Sequence, residues 1–223
     1  FYKFWSRHFL IPQFKRVGKN LDVNKPWNID VYGNNISIGE NVHIRTSKNL
    51  ITQLCSWNKN NCDGVIKIGD NVLISPGVRI ISAKEIIIKS NVMIASNVYI
   101  SDSDWHGIYD RVNTPGLSQN ITIEENSWIG EGSKISKGVK IGKNSIIGLG
   151  SVVTSNVPDN EIFGGNPAKK IGEIDKNKKI RKREDLFLNN DYNKLMKFLI
   201  KEDLKENNFF TWLRVLFFPK KGD

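Results

Sequence analysis

The chain has 223 residues, of which 39% are hydrophobic and 25% charged, which is enough for one domain with a sizeable core and some appendages. Its formal net charge of +10 suits an anionic ligand or a membrane surface, whereas no nucleic-acid-binding motif occurs, so no nucleic acid is expected as a partner. No run of about 18 apolar residues and no signal-peptide pattern is present, and the two cysteines, without a partnering cluster, indicate free thiols and no metal site.

Residues 1–35 form an N-terminal segment that is rich in aromatic and basic side chains. A short helix is predicted to end before Pro12. It would cover the first repeat and bury Phe4, Trp5 and Phe9, because an uncovered repeat end exposes unpaired backbone groups. The alternative is an interfacial membrane contact, since aromatic and basic side chains suit a lipid headgroup layer.

From residue 36 onward the sequence repeats every six residues, with an aliphatic side chain at the same place in each unit. Neither the helical period of about 3.6 nor the strand period of about 2 explains this spacing, which is typical of a parallel β-helix. Three units form one triangular coil, and the stacked aliphatic side chains form the core. In the clearest run these positions are Ile123, Ile129, Ile135, Ile141, Ile147 and Val153.

One turn position of the repeat is asparagine in unit after unit, and asparagine tolerates the positive φ that tight turns require. His43 lies between two core positions, so strand alternation directs it out of the prism, and we expect no catalytic role for it. The repeated turn residues are Asn41, Asn71, Asn91, Asn126 and Asn144.

The repeats are interrupted at 45–64 and at 101–120, and such insertions predict loops that leave the prism and carry function. After residue 171 the chain continues as a basic C-terminal extension, 172–223. Its apolar-basic end, 209–221, is predicted either to pack on the protein or to lie in the interface of the cytoplasmic membrane. A helix within 184–206 is predicted by the spacing of Leu188, Tyr192, Leu195 and Leu199.

Four stretches of the repeat region are distinctive: S-D-S-D-W-H-G-I-Y-D-R at 101–111, S-W-I-G at 127–130, G-L-G-S-V-V-T at 148–154 and G-N-P-A-K-K-I at 165–171. With them, residues 36–171 resemble the left-handed β-helix, hexapeptide-repeat acyltransferases. Within that family they resemble the O-acetyltransferases that modify bacterial surface polysaccharides such as capsule or lipopolysaccharide. The resemblance implies an all-β fold, a left-handed parallel β-helix with a C-terminal helical extension. The hand comes from the resemblance alone, because crossovers between parallel strands are normally right-handed.

The resemblance also implies an acetyltransferase that uses acetyl-CoA as donor co-substrate and needs no metal. In this reading His106 is the general base, because the near-neutral pKa of histidine suits proton transfer at physiological pH. It takes the proton of a saccharide hydroxyl, whose oxygen attacks the thioester carbonyl directly, and the CoA thiolate leaves. Asp102 or Asp104 is a candidate to orient the imidazole, and a backbone carbonyl is an equal alternative.

The remaining candidate residues are carried over from the same resemblance. Trp128 is expected to line the slot for the pantetheine arm and the thioester, and Lys169 and Lys170 match basic positions that meet the CoA phosphates. Two further sets complete the candidates, with Leu149, Thr154 and Ser155 along the pantetheine groove and Trp105, Tyr109 and Arg111 toward the acceptor.

The acceptor is expected to be a cell-surface polysaccharide or its precursor. Gly107 follows His106, whereas proline follows the catalytic histidine of galactoside and maltose acetyltransferases, which puts a simple mono- or disaccharide acceptor in doubt. Two alternatives stay open: N-acetylation of an amino sugar nucleotide, and a catalytically silent β-helix scaffold. The resemblance further implies a homotrimer with active sites between subunits. The expected location is cytoplasmic, with peripheral contact at the cytoplasmic face of the inner membrane as an open alternative.

Overall fold

The computed structural model describes residues 2–58, 62–113, 115–175, 177–188 and 209–218, together with residues 194, 198 and 201. In these residues short strands form three sheets, called faces A, B and C, whose strands pair in parallel except for one terminal hairpin. Face A contains β1 (Arg16–Val17), β4 (Ile36–Ile38), β7 (Val65–Ile68), β10 (Glu85–Ile88), β13 (Ile121–Ile123) and β16 (Lys140–Ile141). Face B contains β2 (Asp22–Val23), β5 (His43–Ile44), β8 (Leu73–Ile74), β11 (Met93–Ile94), β14 (Trp128–Ile129), β17 (Ile146–Ile147), β19 (Glu161–Gly165) and β20 (Ala168–Glu173). Face C contains β3 (Ile29–Tyr32), β6 (Thr52–Ser56), β9 (Arg79–Ser82), β12 (Tyr99–Ser101), β15 (Lys134–Ile135) and β18 (Val152–Val153).

The chain visits the faces in the order A, B, C, so three successive strands make one triangular coil. The parallel register places the aliphatic residue of each hexad directly over that of the next coil, as in the column Ile88, Ile123 and Ile141. All six core positions of the clearest run are buried, which confirms the predicted parallel β-helix of hexapeptide repeats. The hydrophobic core is therefore a continuous aliphatic column inside the prism.

The asparagine turns form a ladder along the corner between faces A and B. All five predicted asparagines have positive φ, which confirms their turn role, and Asn20 and Asn160 extend the series at its two ends. Successive side chains hydrogen-bond to one another, for example Asn126 to Asn144 at 3.0 Å and Asn144 to Asn160 at 2.8 Å. Each amide thus satisfies its neighbour where the backbone turns most sharply.

The prism begins with β1, about one coil earlier than the boundary expected at residue 36. The strands β1, β2 and β3 pair in parallel with β4, β5 and β6 and form the first coil. Val17, Val23 and Ile29 keep the six-residue spacing in this coil, but only Val23 is buried, and Val17 and Ile29 are partly buried. The strand β6 similarly lies within the interruption expected at 45–64.

Ahead of the first coil, α1 (Tyr2–Trp5) continues into a π-helical turn (Ser6–Leu10) and a 3-10 turn (Ile11–Gln13). The expectation that this segment buries Phe4 and Phe9 was wrong, because their exposed fractions are 59% and 54%. The residues that face the core are spaced four apart, which is the spacing of one helical face; they are Ser6, Leu10 and Phe14. Trp5 packs partly against the core, as expected.

After β20 the chain returns along the asparagine corner through residues 177–183, here called the return segment. Lys182 Nζ donates to Glu125 Oε1 at 2.6 Å, and Arg183 Nε donates to the carbonyl oxygen of Asn71 at 2.7 Å. Arg183 also lies 3.2 Å from Nδ1 of His43, which therefore points out of the prism as predicted but is covered. Burial first, then Arg45 and Arg183, lowers the pKa of His43 to about 4.

Residues 184–223 form a second compact unit. Its described part contains most of a 3-10 turn (Arg183–Leu186) and α2 (Phe209–Phe217), which exposes Phe210 and Phe217. No helix among the described residues is both long and apolar enough to cross a bilayer. Tyr192, Leu195 and Leu199 of the predicted helix, and Lys220 and Lys221, lie outside the described residues.

Candidate active site

Two insertions leave the prism at the same corner, between faces C and A. One connects β6 to β7, and the other, called the catalytic loop, connects β12 to β13 and corresponds to the interruption expected at 101–120. Where the two ends of this loop meet, Ser103 and Ser118 form an isolated antiparallel β-bridge. The backbone nitrogen of Gln119 donates to the carbonyl oxygen of Asp102 at 2.9 Å. The catalytic loop therefore rises from a closed, hydrogen-bonded base.

Asp102 joins this base to the preceding coil. Its side chain is buried, and its carboxylate accepts hydrogen bonds from Ser82 Oγ at 2.7 Å, from the backbone nitrogen of Ala83 at 2.7 Å and from that of Lys84 at 3.0 Å. Among the described residues its carboxylate makes no hydrogen bond with the His106 ring; it fastens the start of the loop to residues 82–84.

Asp104 joins the loop base to the following coil. One of its carboxylate oxygens lies 2.6 Å from Nζ of Lys137, which occupies the same corner one coil further on. Asp104 also contributes its carbonyl oxygen, which accepts from the backbone nitrogen of His106 at 2.8 Å. Its carboxylate makes no hydrogen bond with the imidazole in the described part of the chain.

The backbone turns sharply at Trp105, whose φ is +63°. The indole Nε1 of Trp105 donates to Ser101 Oγ at 3.0 Å, and its backbone nitrogen donates to Ser103 Oγ at 3.1 Å. The carbonyl of His106 packs so closely on Gly116 that no Cβ would fit there. The backbone around His106 is therefore fixed, while its imidazole is exposed and makes no hydrogen bond with another described residue. This arrangement leaves the ring available to accept a proton from a ligand.

The tip of the catalytic loop is unusually apolar for an exposed surface. Tyr109 is fully exposed, and Ile108, Val112 and Leu117 are also largely exposed. Arg111 lies among them with an exposed guanidinium. A cluster of large exposed apolar side chains is typical of a surface that a partner or a ligand covers.

The remaining candidates fall into two groups. Thr154 and Ser155 are exposed at the same corner as the catalytic loop, two coils further along the prism. Trp128 lies on face B, 48% exposed and in register between Met93 and Ile146. Leu149 is exposed between faces B and C. In a triangular coil the corner between C and A lies opposite face B, so a single chain does not bring His106 and Trp128 together.

The two candidate phosphate-binding lysines differ in their environment. Lys170 Nζ binds Glu161 at 2.9 Å and also Glu173, and these hydrogen bonds, that of Glu173 first, raise its pKa. Lys169 is exposed and forms no ion pair with the described residues. Its charge is therefore available for a phosphate, whereas that of Lys170 is already balanced.

Sequence reasoning missed one contact of the catalytic loop. The ring of Trp57, at the start of the β6–β7 insertion, lies 5.8 Å from the ring of Trp105 and 5.0 Å from that of Tyr32. The sequence feature that could have indicated this contact is that each of the two interruptions of the repeat contains a tryptophan. No group of three or more His, Cys, Asp or Glu side chains among the described residues could hold a metal ion.

Comparison with known proteins gives a consistent picture. A family model described as bacterial transferase hexapeptide (six repeats) matches residues 120–155. A maltose O-acetyltransferase from Clostridium difficile 630 is 30% identical with a TM-score of 0.53, and the alignment covers 75% of this chain and 73% of that one. A galactoside acetyltransferase in complex with coenzyme A is also 30% identical with a TM-score of 0.51, covering 75% of this chain and 68% of that one.

One further solved structure shares the fold at lower identity. It is a mutant of AntD, an N-acyltransferase from Bacillus cereus, in complex with dTDP and coenzyme A. The identity is 21%, the TM-score is 0.59, and the alignment covers 82% of this chain and 93% of that chain. No curated protein sequence matches the chain.

Proposed function

The chain belongs to the hexapeptide-repeat acyltransferases, left-handed β-helix enzymes with a coenzyme A thioester as donor, and from that premise we propose that it O-acetylates a saccharide. The observation that carries the proposal is the exposed imidazole of His106 on a backbone that is held from both sides. A fixed backbone with an available ring nitrogen is what a general base requires.

In the proposed reaction His106 accepts the proton of the acceptor hydroxyl while the hydroxyl oxygen forms a bond to the acetyl carbonyl carbon. The tetrahedral intermediate collapses with cleavage of the carbon–sulfur bond. The proton then passes from the imidazolium to the departing thiolate, so the products are the acetyl ester and free coenzyme A. A backbone N–H is the proposed donor to the oxyanion.

Two carboxylates position the base in this proposal without touching it. Asp102 fixes the start of the catalytic loop to residues 82–84, and Asp104 fixes its rise to Lys137 and holds the backbone nitrogen of His106. In this proposal the imidazole of His106 contacts only the acceptor and a neighbouring chain.

We propose that the active site is completed in a homotrimer. Within one chain His106 and Trp128 lie on opposite sides of the prism, and both the loop tip and face B expose apolar side chains. Face B carries an outward apolar column in which Trp128 is exposed and Leu73, Met93 and Ile146 are partly exposed. A cyclic trimer in which the corner of one chain meets face B of the next closes this contact and unites the two groups.

In that trimer Trp128 and Leu149 of one chain line the slot for the pantetheine arm, together with Thr154 and Ser155 from the corner of the neighbouring chain. Lys169 is the proposed phosphate ligand. Lys170 contributes less in this account, because Glu161 and Glu173 already balance its charge. On the acceptor side the proposed contacts are Trp105, Tyr109 and Arg111.

The proposed acceptor is a bacterial surface polysaccharide or its precursor, acetylated in the cytoplasm, where acyl-CoA is available. The exposed aromatic side chains of α2 and of the N-terminal segment are proposed contacts with the inner membrane. Precursors assembled on lipid carriers would be met at that surface.

The proposed function is tested by incubating the purified protein with acetyl-CoA and a mixture of saccharides, and by analysing the products with mass spectrometry before and after mild alkali. We expect an acetylated saccharide whose acetyl group is lost in alkali, because esters are cleaved under conditions that amides survive. An alkali-stable product on an amino sugar would show N-acetylation instead. Absence of any acetylated saccharide would contradict the proposal.

A further inference from the structure

We propose that Tyr32, Trp57 and Trp105, called the aromatic row, form a binding surface for acceptor sugars beyond the one that is acetylated. The inference rests on the proposed function in one respect, that the acceptor is a saccharide. It adds that the enzyme engages several sugar units of a chain, in the cleft where this corner faces the neighbouring chain of the proposed trimer.

The aromatic row runs parallel to the prism axis toward the base. Tyr32 belongs to the first coil, Trp57 follows the second, and Trp105 follows the fourth and directly precedes His106. The ring centroids of Tyr32 and Trp57 are 5.0 Å apart and those of Trp57 and Trp105 are 5.8 Å apart, so the row spans at most about 11 Å between its outer rings. This length suits an oligosaccharide rather than a single sugar ring.

The rings lie on the outer corner and are held in place without being enclosed. Trp57 is 36% exposed, and Tyr32 and Trp105 are half-buried. The backbone nitrogen of Trp57 donates to the carbonyl oxygen of Ser82 at 2.8 Å, and its carbonyl oxygen accepts from Gly64 at 2.7 Å. The backbone of Trp57 is thus fixed, its ring packs against those of Tyr32 and Trp105, and Nε1 of Trp105 is hydrogen-bonded, so a ligand would lose little entropy in ordering the rings.

Polar groups flank the rings, as sugar recognition requires. The amide nitrogen of Asn58 lies 3.5 Å from Oδ1 of Asn34, and both side chains are accessible next to Trp57 and Tyr32. The ammonium of Lys84 is exposed at the same corner on the intervening third coil. The C–H faces of sugars pack on aromatic faces, whose electron density attracts them, while hydroxyl groups bind amides and ammonium groups.

A purely structural role would have the aromatic row pin the β6–β7 insertion against the catalytic loop. Such a role predicts loss of stability on substitution but no dependence of binding on the length of the saccharide. Binding measured against chain length therefore separates the two readings.

The test uses an array of bacterial oligosaccharides and polysaccharides, followed by titration of the best ligand as a tetrasaccharide and as its monosaccharide. We expect the wild-type protein to bind the tetrasaccharide about tenfold more tightly than the monosaccharide, and Trp57→Leu to lose that gain. Trp57→Phe should retain part of it. Trp27→Leu is the matched control, because Trp27 is 43% exposed and packs on Tyr2 and Trp5 at the N-terminal end.

Tyr32→Leu gives a second reading that remains available if Trp57→Leu does not fold, because Tyr32 lies in a strand outside the insertion. The proposal is overturned if the array captures no glycan, or if neither Trp57→Leu nor Tyr32→Leu changes the ratio of the two affinities. Saccharide binding that depends on the aromatic row, without any acetylation, would contradict the proposed function but support the proposed role of the aromatic row. Acetylation of short acceptors, without any increase in affinity with chain length, would contradict the proposed role of the aromatic row and leave the proposed function standing.

Discussion

Ser82 Oγ donates a hydrogen bond of 2.7 Å to Oδ2 of Asp102, and this contact joins the last residue of β9 to the first residue of the catalytic loop. Both residues are buried, and the same carboxylate also accepts from two backbone nitrogens of the corner at residues 83–84. The position of the proposed base therefore depends on a buried carboxylate, whereas Asp104, two residues further on, forms a partly exposed ion pair with Lys137.

The first prediction compares the two carboxylates of the loop base. Asp102→Ala leaves buried donors unsatisfied and should lower the free energy of unfolding by roughly 2–4 kcal/mol. Asp104→Ala removes an exposed ion pair with Lys137 and should cost less than about 1 kcal/mol. Urea unfolding of both variants measures the difference, and equal losses would contradict the assigned roles.

The second prediction concerns pH and His43. Its pKa of about 4 in the folded protein lies below the value of about 6.5 expected in the unfolded chain, so the unfolded chain binds more protons between these values. Stability should therefore fall as the pH drops from about 6.5 through 4, by roughly 2–3 kcal/mol at pH near 4.5. Burial is the main cause, and the positive charges of Arg45 and Arg183 add to it, whereas Asp22 opposes it.

His43→Gln provides the comparison for that measurement, because it keeps a polar side chain without a titration in this range. The difference in urea midpoint between wild type and variant should depend on pH only below about 6.5. Parallel pH profiles for the two proteins would show that the covered position of His43 does not penalise its protonation.

The third prediction tests the shared site. Trp128→Ala and His106→Ala should each inactivate a homotrimer, whereas mixed trimers should regain part of the activity because some interfaces combine an intact His106 with an intact Trp128. Differently tagged chains are co-expressed, purified through both tags and assayed. A stable, active monomer in sedimentation, or mixed trimers without any regain, would contradict the proposed assembly.

The fourth prediction separates the two lysines of β20. Lys169→Ala should raise KM for acetyl-CoA about threefold to tenfold, because an unpaired ammonium can neutralise a phosphate. Lys170→Ala should change this KM less, since Glu161 and Glu173 already bind that ammonium. Initial-rate kinetics over a range of acetyl-CoA concentrations decide between them, and a larger effect at Lys170 would reverse the assignment.

The features that were predictable from sequence are those that recur locally. An aliphatic residue at every sixth position predicts the buried column, and asparagine at a fixed offset predicts the positive-φ corner. The first coil was not recognised from the sequence, although Val17, Val23 and Ile29 lie six residues apart. Its strands are short, and in β3 it is Val31, not Ile29, that pairs with the buried Leu54.

Contacts that arise from stacking of distant coils also escaped sequence reasoning. Trp57 and Trp105 meet because their insertions leave the same corner, and His43 is buried because the return segment places Arg183 over it. Within the site, His106 could be proposed as the base from the sequence. The proposed positioning role of Asp102 could be inferred only from the structure, where its carboxylate accepts hydrogen bonds from three donors.

The most direct test of the central claim measures acetyl-CoA turnover by His106→Gln beside His8→Gln. His8 is an exposed histidine of the N-terminal segment whose Nδ1 lies 2.9 Å from the carbonyl oxygen of Phe4, so its replacement controls for the loss of a surface imidazole. We expect kcat to fall by roughly 10²–10⁴-fold in His106→Gln and to stay close to wild type in His8→Gln. Turnover near the wild-type value in folded His106→Gln would contradict the assignment of His106 as the general base.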